Sequence, residues 1–355
     1  MEQLYKTSIE LLKQLIKTPA FSREEQQTAD IIFNFFIQQG IAAERLGNNI
    51  ICKNKFFDAA KATLLLNSHH DTVKPNPKYT LDPFDPIEQD GKLFGLGSND
   101  AGGCLVALAA AFIYFYDKQD LKYNIIFVGS AEEEVSGSNG IEAVIPVLPA
   151  IDFAIVGEPT LLQMAVAERG LMVLDCVAHG KAGHAARNEG ENAILKASKD
   201  IEWFHQYKFE KHSDLLGSSK MTVTVIETEN KAHNVIPASC KFVVDVRLNE
   251  LYSFDELLDE IRRNVTSDVT PRSTRLRSTS IALNHPVVKA GIAMGKTYYG
   301  SPTTSDKALM PFPALKMGPG NSARSHTADE FIYLEEIKNG IEDYIEMVER
   351  VAAGN

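Results

Sequence analysis

Hydrophobic residues in the first part of the chain follow two kinds of spacing. Apolar positions over 11–16 share one face of a helix, and a second predicted helix over 29–39 ends at Gly40. Three short runs are apolar and predict buried strands at 62–68, 124–131 and 152–159, with an alanine-rich helix over 105–116 after the first of them. Buried strands that alternate with helices are typical of an α/β fold with a mostly parallel central sheet flanked by helices.

Near Gly170 the pattern changes to segments that include alternating, β-branched residues. The predicted strands lie at 171–179, 220–228 and 241–249, and helices are predicted near 191–210 and 253–265. This order of elements indicates a smaller α+β domain with an antiparallel sheet and two helices.

The helix–loop–strand pattern returns after Thr279 and ends in a predicted helix over 334–352. The segments before and after the middle part therefore share one type of pattern. We predict a single catalytic domain formed by residues 1–169 and 280–355, interrupted by an inserted domain over 170–279.

Composition narrows the class of protein. The chain has 355 residues, and its 36 Lys and Arg against 47 Asp and Glu give a formal net charge of −11. This balance argues against binding to nucleic-acid phosphates as the main role. The longest apolar run, over 104–116, is shorter than the roughly 20 residues that span a bilayer. The first residues also lack the apolar stretch of a signal peptide, so we expect a cytoplasmic protein without membrane or nucleic-acid partners.

The spacing of the cysteines bears on metal and disulfide chemistry. Cys52, Cys104, Cys176 and Cys240 lie far apart and form no Cys-x-x-Cys pair. This spacing disfavours a disulfide framework and a thiolate zinc site. We expect small core residues in a reducing compartment.

Histidines and carboxylates that follow predicted strands are the candidate chemical groups. They occur in His69-His70-Asp71, Asn99-Asp100, Glu132-Glu133-Glu134, Gly157-Glu158-Pro159 and Arg324-Ser325-His326. Each motif alone is more typical of a buried polar residue, a solvated surface or a turn. Together they offer imidazole and carboxylate ligands, which suit Zn²⁺ and similar metals. They also offer a carboxylate that can bridge two ions and another that can act as a base.

The order and spacing of these motifs resemble one enzyme family. This family is the dinuclear zinc amidohydrolases and metallopeptidases, which include aminoacylase, acetylornithine deacetylase, succinyl-diaminopimelate desuccinylase and glutamate carboxypeptidase. The resemblance covers nearly the whole chain, through LLLNSHHDTV, GKLFGLGSNDAGG, GSAEEEVSGSNG, IVGEPT, GKAGHAA, NVIP, VDVRL, TSDKA and GPGNSARSHTADEFI. It implies a metal-binding catalytic domain and an inserted domain that serves as a lid and in dimerisation.

The resemblance implies a ligand set for two divalent metal ions. His69 and Glu158 resemble the ligands of one ion, and Glu134 and His326 resemble those of the other. Asp100 resembles the carboxylate that bridges them. Zn²⁺ is the first choice for both ions, and Co²⁺ is the alternative.

Two other carboxylates resemble catalytic residues of the family. Glu133 resembles the base that activates a metal-bridging water, and Asp71 resembles the carboxylate that orients His69. His70 also lies here, but only His69 has the His-x-Asp spacing to Asp71. The chain departs from the family at Ser68, where glycine is usual, and after the bridging aspartate, where Ala-Gly-Gly lacks the usual lysine.

Three residues of the inserted segment also match the family. His184 resembles the residue that reaches the partner subunit's active site and stabilises the oxyanion, which implies a homodimer. Asn234 and Arg247 resemble residues that bind the substrate carboxylate. An ordinary ion pair with Asp245 is the alternative for Arg247.

The chain is most similar to the acetylornithine deacetylase branch of the family. The implied reaction is hydrolysis of N-acetyl- or N-succinyl-L-ornithine to L-ornithine and a carboxylate, in arginine biosynthesis. Arg324 and Ser322, close to His326 in the sequence, could contact a charged succinyl group. Alternatively, Arg324 pairs with Asp329 or Glu330.

Other activities stay open at this point. Acetyl-citrulline, acetyl-lysine, succinyl-diaminopimelate and the substrates of a dipeptidase or carboxypeptidase suit the same chemistry. A noncatalytic metal-binding scaffold is the alternative from another class. It is disfavoured because such a protein has no reason to keep a base and metal ligands together.

Overall fold

The computed structural model describes residues 1–187 and 189–353, and the chain divides into two compact units. The first comprises Met1–Val166, Ser280–Tyr299 and Ser305–Asn355, and the second comprises Ala167–Thr279 and Gly300–Thr304. The short piece Gly300–Thr304 lies outside the predicted bounds of the inserted domain. Its hydrogen bonds explain its place, because the Ser301 carbonyl accepts from Arg169 N at 3.3 Å and Thr304 Oγ1 donates to the Arg169 carbonyl at 3.1 Å.

Helices and strands are numbered here in chain order. The helices are α1 (Glu2–Ile16), α2 (Gln26–Gln38), α3 (Gly103–Phe115), α4 (Ile141–Val144), α5 (Ala193–Gln206), α6 (Phe254–Asn264), α7 (Pro286–Ala293) and α8 (Leu334–Ala353). The strands are β1 (Ala43–Leu46), β2 (Asn49–Lys53), β3 (Thr63–His69), β4 (Ile87–Gln89), β5 (Lys92–Phe94), β6 (Asn124–Ser130), β7 (Phe153–Val156), β8 (Met164–Glu168), β9 (Gly170–His179), β10 (Gly183–His184), β11 (His212–Ser213), β12 (Gly217–Ser218), β13 (Lys220–Glu227), β14 (Val235–Ile236), β15 (Ser239–Leu248), β16 (Asp268–Pro271), β17 (Thr279–Ser280), β18 (Tyr298–Ser301), β19 (Ala314–Lys316) and β20 (Phe331–Tyr333).

The first unit is built on a sheet in which the strands follow the order β1-β2-β6-β3-β7-β19-β8. Strand β3 runs parallel to β6 and β7, and β19 runs parallel to β7. Every residue of β3 and β6 is buried, as their continuous apolar sequences predict. Because β3 and β6 are parallel, His69 at the end of one strand lies opposite Ser130 at the end of the other. The residues that follow the two strands therefore meet at one edge of the sheet.

Helix α3 is apolar on all sides and packs inside the first unit. It contacts α1 and α8 and the strands β3 and β6. A helix without a polar face needs cover on every side, and these elements supply it. By length and composition alone, Ser98–Phe115 could cross a membrane, but 83% of this span is buried within the protein, as in a core helix.

The second unit contains an antiparallel sheet with the order β13-β15-β9-β16. Side chains of β9 alternate between buried and partly exposed, and the buried ones form a core with residues of α5 and α6. Helix α6 begins at a capping box in which Ser253 and Glu256 each accept a hydrogen bond from the other's backbone N–H at 3.2 Å. The predicted fold class, an α/β sheet with a smaller antiparallel α+β part, is confirmed.

Candidate metal centre

His69 is the last residue of β3, and one side of its ring is held by Asp71. Both side chains are buried. His69 Nδ1 lies 3.1 Å from the Asp71 backbone carbonyl and 3.4 Å from Asp71 Oδ1. Nδ1 donates to these oxygens, so the opposite nitrogen, Nε2, is directed into the site. This arrangement is typical of a histidine that binds a metal through Nε2.

His69 Nε2 is buried and makes no hydrogen bond within the described part of the chain. Three carboxylates face it instead. Asp100 Oδ1 lies at 3.3 Å, and Glu133 Oε2 and Glu158 Oε1 each lie at 3.8 Å. A buried ring nitrogen without a hydrogen-bond partner is energetically unfavourable. A cation bound here would give His69 Nε2 a partner and would also be attracted by the three carboxylates.

Asp100 lies between two histidines. Its Oδ1 faces His69, and its Oδ2 lies 3.6 Å from His326 Nε2. His326 Nε2 in turn lies 3.1 and 3.0 Å from the two carboxylate oxygens of Glu134. The ligand atoms form two adjoining groups, His69–Asp100–Glu134 and His69–Glu133–Glu158, and within each group they lie within 4.8 Å of one another.

Glu133 and Glu134 project from a tight turn after β6. Glu132 adopts a left-handed φ of 57°, which is uncommon for a residue other than glycine. Asp71 holds the turn, because its Oδ1 accepts from Glu133 N at 3.0 Å and its Oδ2 accepts from Glu134 N at 3.1 Å. One buried carboxylate therefore positions His69 and both glutamates.

Burial and crowding shift the pKa values of these groups. Burial raises the pKa of Glu133 well above its usual range, and burial together with Asp100 raises that of Glu134. The hydrogen bond to Glu134 raises the pKa of His326 to about 9. Burial lowers the pKa of His69, but the negative charge of Glu133 and the neighbouring carboxylates of Asp100 and Asp71 outweigh it, so the net shift is upward. The site concentrates negative charge that a bound cation would neutralise.

This donor set fits divalent metal ions. Imidazole nitrogens and carboxylate oxygens are the ligands that zinc and its neighbours use in proteins. His69 Nε2 supplies a buried donor atom that faces three carboxylates, and Asp100 presents one oxygen toward each histidine. A carboxylate placed in this way can serve two adjacent ions.

His70 faces a different set of partners. Its Nδ1 lies 3.0 Å from Thr28 Oγ1, and its Nε2 lies 2.9 Å from the Asn48 carbonyl. Burial lowers its pKa to about 4. His70 is therefore a neutral, hydrogen-bonded core residue at neutral pH, and neither ligand group includes it.

The surroundings of Arg324 correct its expected ion-pair partner. Its guanidinium donates to both carboxylate oxygens of Glu336, at 2.9 and 2.5 Å, and it stacks on Phe331 and Tyr333. The partner is thus on α8 rather than among the acids next to Arg324 in the sequence. A bidentate pair neutralises the charge within the protein, so a contact between Arg324 and a succinyl group stays a prediction that requires Arg324 to share or exchange the Glu336 carboxylate.

The other predicted substrate residues lie in the second unit. His184 in β10 is exposed, and its Nδ1 accepts from Ala186 N at 3.1 Å. Asn234, immediately before β14, is exposed. Arg247 in β15 donates to the two carboxylate oxygens of Asp245 at 2.9 and 3.1 Å, which is the ion pair that the sequence left open.

Two buried acids beside the site were not among the site residues predicted from the sequence. Glu330 Oε1 accepts from Asp100 N at 3.0 Å, and burial raises the pKa of Glu330 to about 8. Asp306 accepts from Ser130 Oγ at 2.6 Å, and burial raises its pKa to about 6. Both residues belong to motifs that carried the family resemblance, SHTADE and TSDKA. Membership in these motifs was therefore the signal by which the sequence could have pointed to Glu330 and Asp306. Their contacts could not be predicted, because they involve segments distant in the sequence.

Known proteins share the sequence pattern of this chain. Residues 65–350 match the family model described as "Peptidase family M20/M25/M40". A protein named succinyl-diaminopimelate desuccinylase 2, from Ruegeria sp. (strain TM1040), is 29% identical over 272 residues, which cover 72% of this chain and 69% of that protein. The span matched by the family model includes both ligand groups.

Solved structures share the fold. A tripeptidase from Staphylococcus aureus has a TM-score of 0.78 at 19% identity, covering 98% of this chain and 99% of that chain. A Bacillus subtilis protein described as a dinuclear metal binding peptidase from the M20 family has a TM-score of 0.73 at 14% identity, with 99% of each chain covered. The family resemblance drawn from the motifs is confirmed. The chain belongs to the M20/M25/M40 peptidase family and is a hydrolase that acts on amide bonds.

Proposed function

We propose that this chain hydrolyses the amide bond of an N-acyl-L-amino acid. N-acetyl-L-ornithine and N-succinyl-L-ornithine are the first candidates, and L-ornithine and a carboxylate are the products, as in arginine biosynthesis. The observation that carries the proposal is the buried His69 Nε2, faced by Asp100, Glu133 and Glu158 in a member of an amide-hydrolysing family.

The ligand groups suit two divalent ions. We assign His69 and Glu158 to one ion, Glu134 and His326 to the other, and Asp100 to both. The separations of the two Asp100 oxygens from the two histidines, 3.3 and 3.6 Å, support this assignment. Zn²⁺ is the first choice and Co²⁺ the alternative. Bound there, such ions would polarise an amide carbonyl and make water more acidic.

Glu133 is assigned as the general base. Its turn is fixed by Asp71, and burial raises its pKa, which makes its carboxylate a stronger base. Glu133 takes one proton from water while the water oxygen bonds to the amide carbon. It then returns the proton to the amide nitrogen as the C–N bond breaks, so that a free amine and a carboxylate leave.

The proposed acyl group and the proposed amine of the substrate are supported by different observations. The motifs favour ornithine, whereas the name of the Ruegeria relative favours a succinyl group and makes N-succinyl-diaminopimelate the second candidate. We keep Asn234 and Arg247 as proposed contacts for the substrate carboxylate. Arg247 would then have to share or exchange the Asp245 carboxylate. Arg324 stays a proposed contact for a succinyl group, and it would likewise have to share or exchange the Glu336 carboxylate.

We also propose a homodimer in which His184 of one subunit helps to stabilise the oxyanion at the partner's site. Support comes from the surface of the second unit, where β13 is an edge strand. Exposed apolar side chains lie on α5, β13 and β14: Ile194, Leu195, Val225, Ile226 and Val235. An apolar edge strand normally needs cover, and an antiparallel strand from a second copy would supply it.

The test is amine release from a panel of acyl compounds. Metal-free protein is reloaded with Zn²⁺ or Co²⁺ and given N-acetyl- and N-succinyl-ornithine, acetyl-citrulline, acetyl-lysine, N-succinyl-diaminopimelate and several dipeptides. The Glu133→Gln variant, with its metal content measured, is the matched control. Ornithine release by the native chain and not by the variant is the expected result.

The other outcomes separate the alternatives. Turnover of N-succinyl-diaminopimelate alone would support the second candidate, and cleavage of dipeptides alone would indicate a peptidase. A protein that holds two metal ions but hydrolyses nothing in the panel would contradict the proposal and favour a scaffold role.

A further inference from the structure

Glu330 connects two segments that carry candidate metal ligands. Its side chain is only 1% exposed, and it immediately precedes β20, which pairs with β5. The loop after β5 leads to Asn99 and Asp100. Glu330 Oε1 accepts from Asn99 N at 2.9 Å and from Asp100 N at 3.0 Å, and the Glu330 carbonyl accepts from Gly95 N at 3.0 Å. Glu330 therefore holds the backbone of this loop at its start and at its end.

The Asn99 side chain makes a second connection between the same segments. Its Oδ1 accepts from Asn321 N at 2.9 Å, and its Nδ2 lies 3.1 Å from the Asn321 carbonyl and 3.3 Å from Ser325 Oγ. The segment from Asn321 to Glu330 thus contacts Asn99 and Asp100 through both of its ends. His326 lies within that segment.

These contacts fix the position of Asp100 relative to both histidines. The Asp100 side chain has to present Oδ1 toward His69 and Oδ2 toward His326 at the same time. A carboxylate shared between two sites tolerates little displacement, because movement toward one site is movement away from the other. The backbone N–H of Asp100 donates to Glu330, so this hydrogen bond fixes the backbone position from which the Asp100 side chain extends.

We propose that Glu330 is a positioning residue for the two-metal centre: its Oε1 atom holds Asn99 and Asp100 so that the Asp100 carboxylate can present one oxygen toward His69 and the other toward His326. The inference deepens the proposed function and rests on its ligand assignment. What the role requires is one acceptor oxygen at the position of Oε1, because both backbone bonds end on that atom. The negative charge of Glu330 is not itself required.

Three substitutions separate acceptor position from charge. Glu330→Gln keeps an acceptor oxygen at the same reach and removes the charge. Glu330→Asp keeps the charge, but it withdraws the carboxylate by one methylene. Glu330→Ala removes both. Glu335→Gln is the matched control, because Glu335 is an exposed glutamate five residues along the chain, in the first turn of α8.

The main measurement is the binding of metal ions without substrate. Metal-free protein of each variant is titrated with Zn²⁺ in competition with a chromophoric chelator, and folding is checked by near-UV circular dichroism. We expect Glu330→Gln and Glu335→Gln to bind two ions as the native chain does. We expect Glu330→Asp and Glu330→Ala to lose about 10–100-fold in affinity for at least one ion, the effect seen when a group that supports a ligand is removed. In steady-state assays of Glu330→Asp and Glu330→Ala, kcat should fall while KM changes little.

Two results would overturn the inference. One is loss of metal affinity in Glu330→Gln with native affinity in Glu330→Asp, because charge and not position would then matter. The other is native binding by Glu330→Asp and Glu330→Ala alike. If Glu330→Ala does not fold, the Gln and Asp variants decide the question. Since the titration uses no substrate, absence of turnover on the acyl panel would count against the proposed function and leave this test intact.

Discussion

Neighbouring side chains on one turn meet different surroundings in this site. Glu134 lies 3.0 Å from His326, whereas Glu133 lies 3.8 Å from His69. Their backbone N–H groups both donate to Asp71. Because the turn is held through its backbone, replacing either side chain should leave the other in place. The roles of the two glutamates can therefore be tested separately.

Glu133→Gln should abolish most turnover without loss of metal. Removal of a well-placed base typically costs about 10²–10⁴-fold in rate, and Glu133 is not among the proposed ligands. Glu134→Gln should instead lower the number of metal ions per chain, since it removes a ligand that faces His326. Steady-state kinetics with metal analysis of both variants checks this. Equal metal loss in the two variants would contradict the assignment of Glu133 as base.

His70→Gln should change how stability depends on pH. The pKa of His70 falls from 6.5 to about 4 through burial, so the unfolded chain binds a proton that the folded protein excludes between these values. The contribution of His70 is complete above pH 6.5 and is lost as the pH falls toward 4, and a shift of this size amounts to about 3 kcal/mol in the free energy of unfolding. Urea unfolding in the presence of a chelator, from pH 4.5 to 7, should therefore show a shallower slope for His70→Gln than for the native chain. Parallel slopes would count against this account.

At the scale of elements, the segment between His326 and β20 is attached to the loop that precedes β4. Asp329 makes this attachment, because its carboxylate accepts from Thr80 N at 2.8 Å, Thr80 Oγ1 at 2.6 Å and Leu81 N at 3.0 Å. Asp329→Ala removes all three acceptor contacts and should speed hydrogen exchange at the amides of Thr80 and Leu81. Exchange in β3 serves as the internal control. Unchanged exchange at both amides would show that other contacts hold the loop.

The edge strand β13 gives a prediction for the proposed dimer. Ile226→Lys places a charge on a side chain that is 54% exposed and would face a second copy, so it should shift the protein toward monomer in sedimentation velocity. Leu251→Lys is the control, because Leu251 is a similarly exposed apolar residue, 43%, between β15 and α6. If Leu251→Lys dissociates the dimer while Ile226→Lys does not, another surface must mediate association.

At the scale of the whole molecule, hydrophobic patterns in the sequence predicted helices and strands, but they could not predict which of these elements contact one another. Strand β3 was expected over 62–68 and occupies Thr63–His69, because continuous burial leaves a continuous apolar run in the sequence. Motif order likewise indicated which histidines and carboxylates to examine. The bond from Asp100 N to Glu330 joins residues 230 positions apart, through the pairing of β5 with β20. Such pairings leave no periodic signal, so the role of Glu330 and the Arg324–Glu336 pair could only be found in the structure.

Removal of metal should destabilise the whole protein, and more so as the pH rises. In the metal-free state the pKa of Glu330 is raised by burial to about 8, and that of His326 is raised to about 9 by its hydrogen bond to Glu134. The folded protein therefore retains protons that the unfolded chain releases, so stability that is present at lower pH is lost as the pH rises through these values. Between pH 6.5 and 8.5 both groups act in this direction, while His70 is neutral in both states.

Bound cations oppose this loss of stability, because they neutralise the carboxylates and occupy His326. Urea unfolding with chelator should show a midpoint that falls across this range, and Zn²⁺ should raise the midpoint most at pH 8.5. A metal-free midpoint that stays level would contradict the electrostatic account of the site.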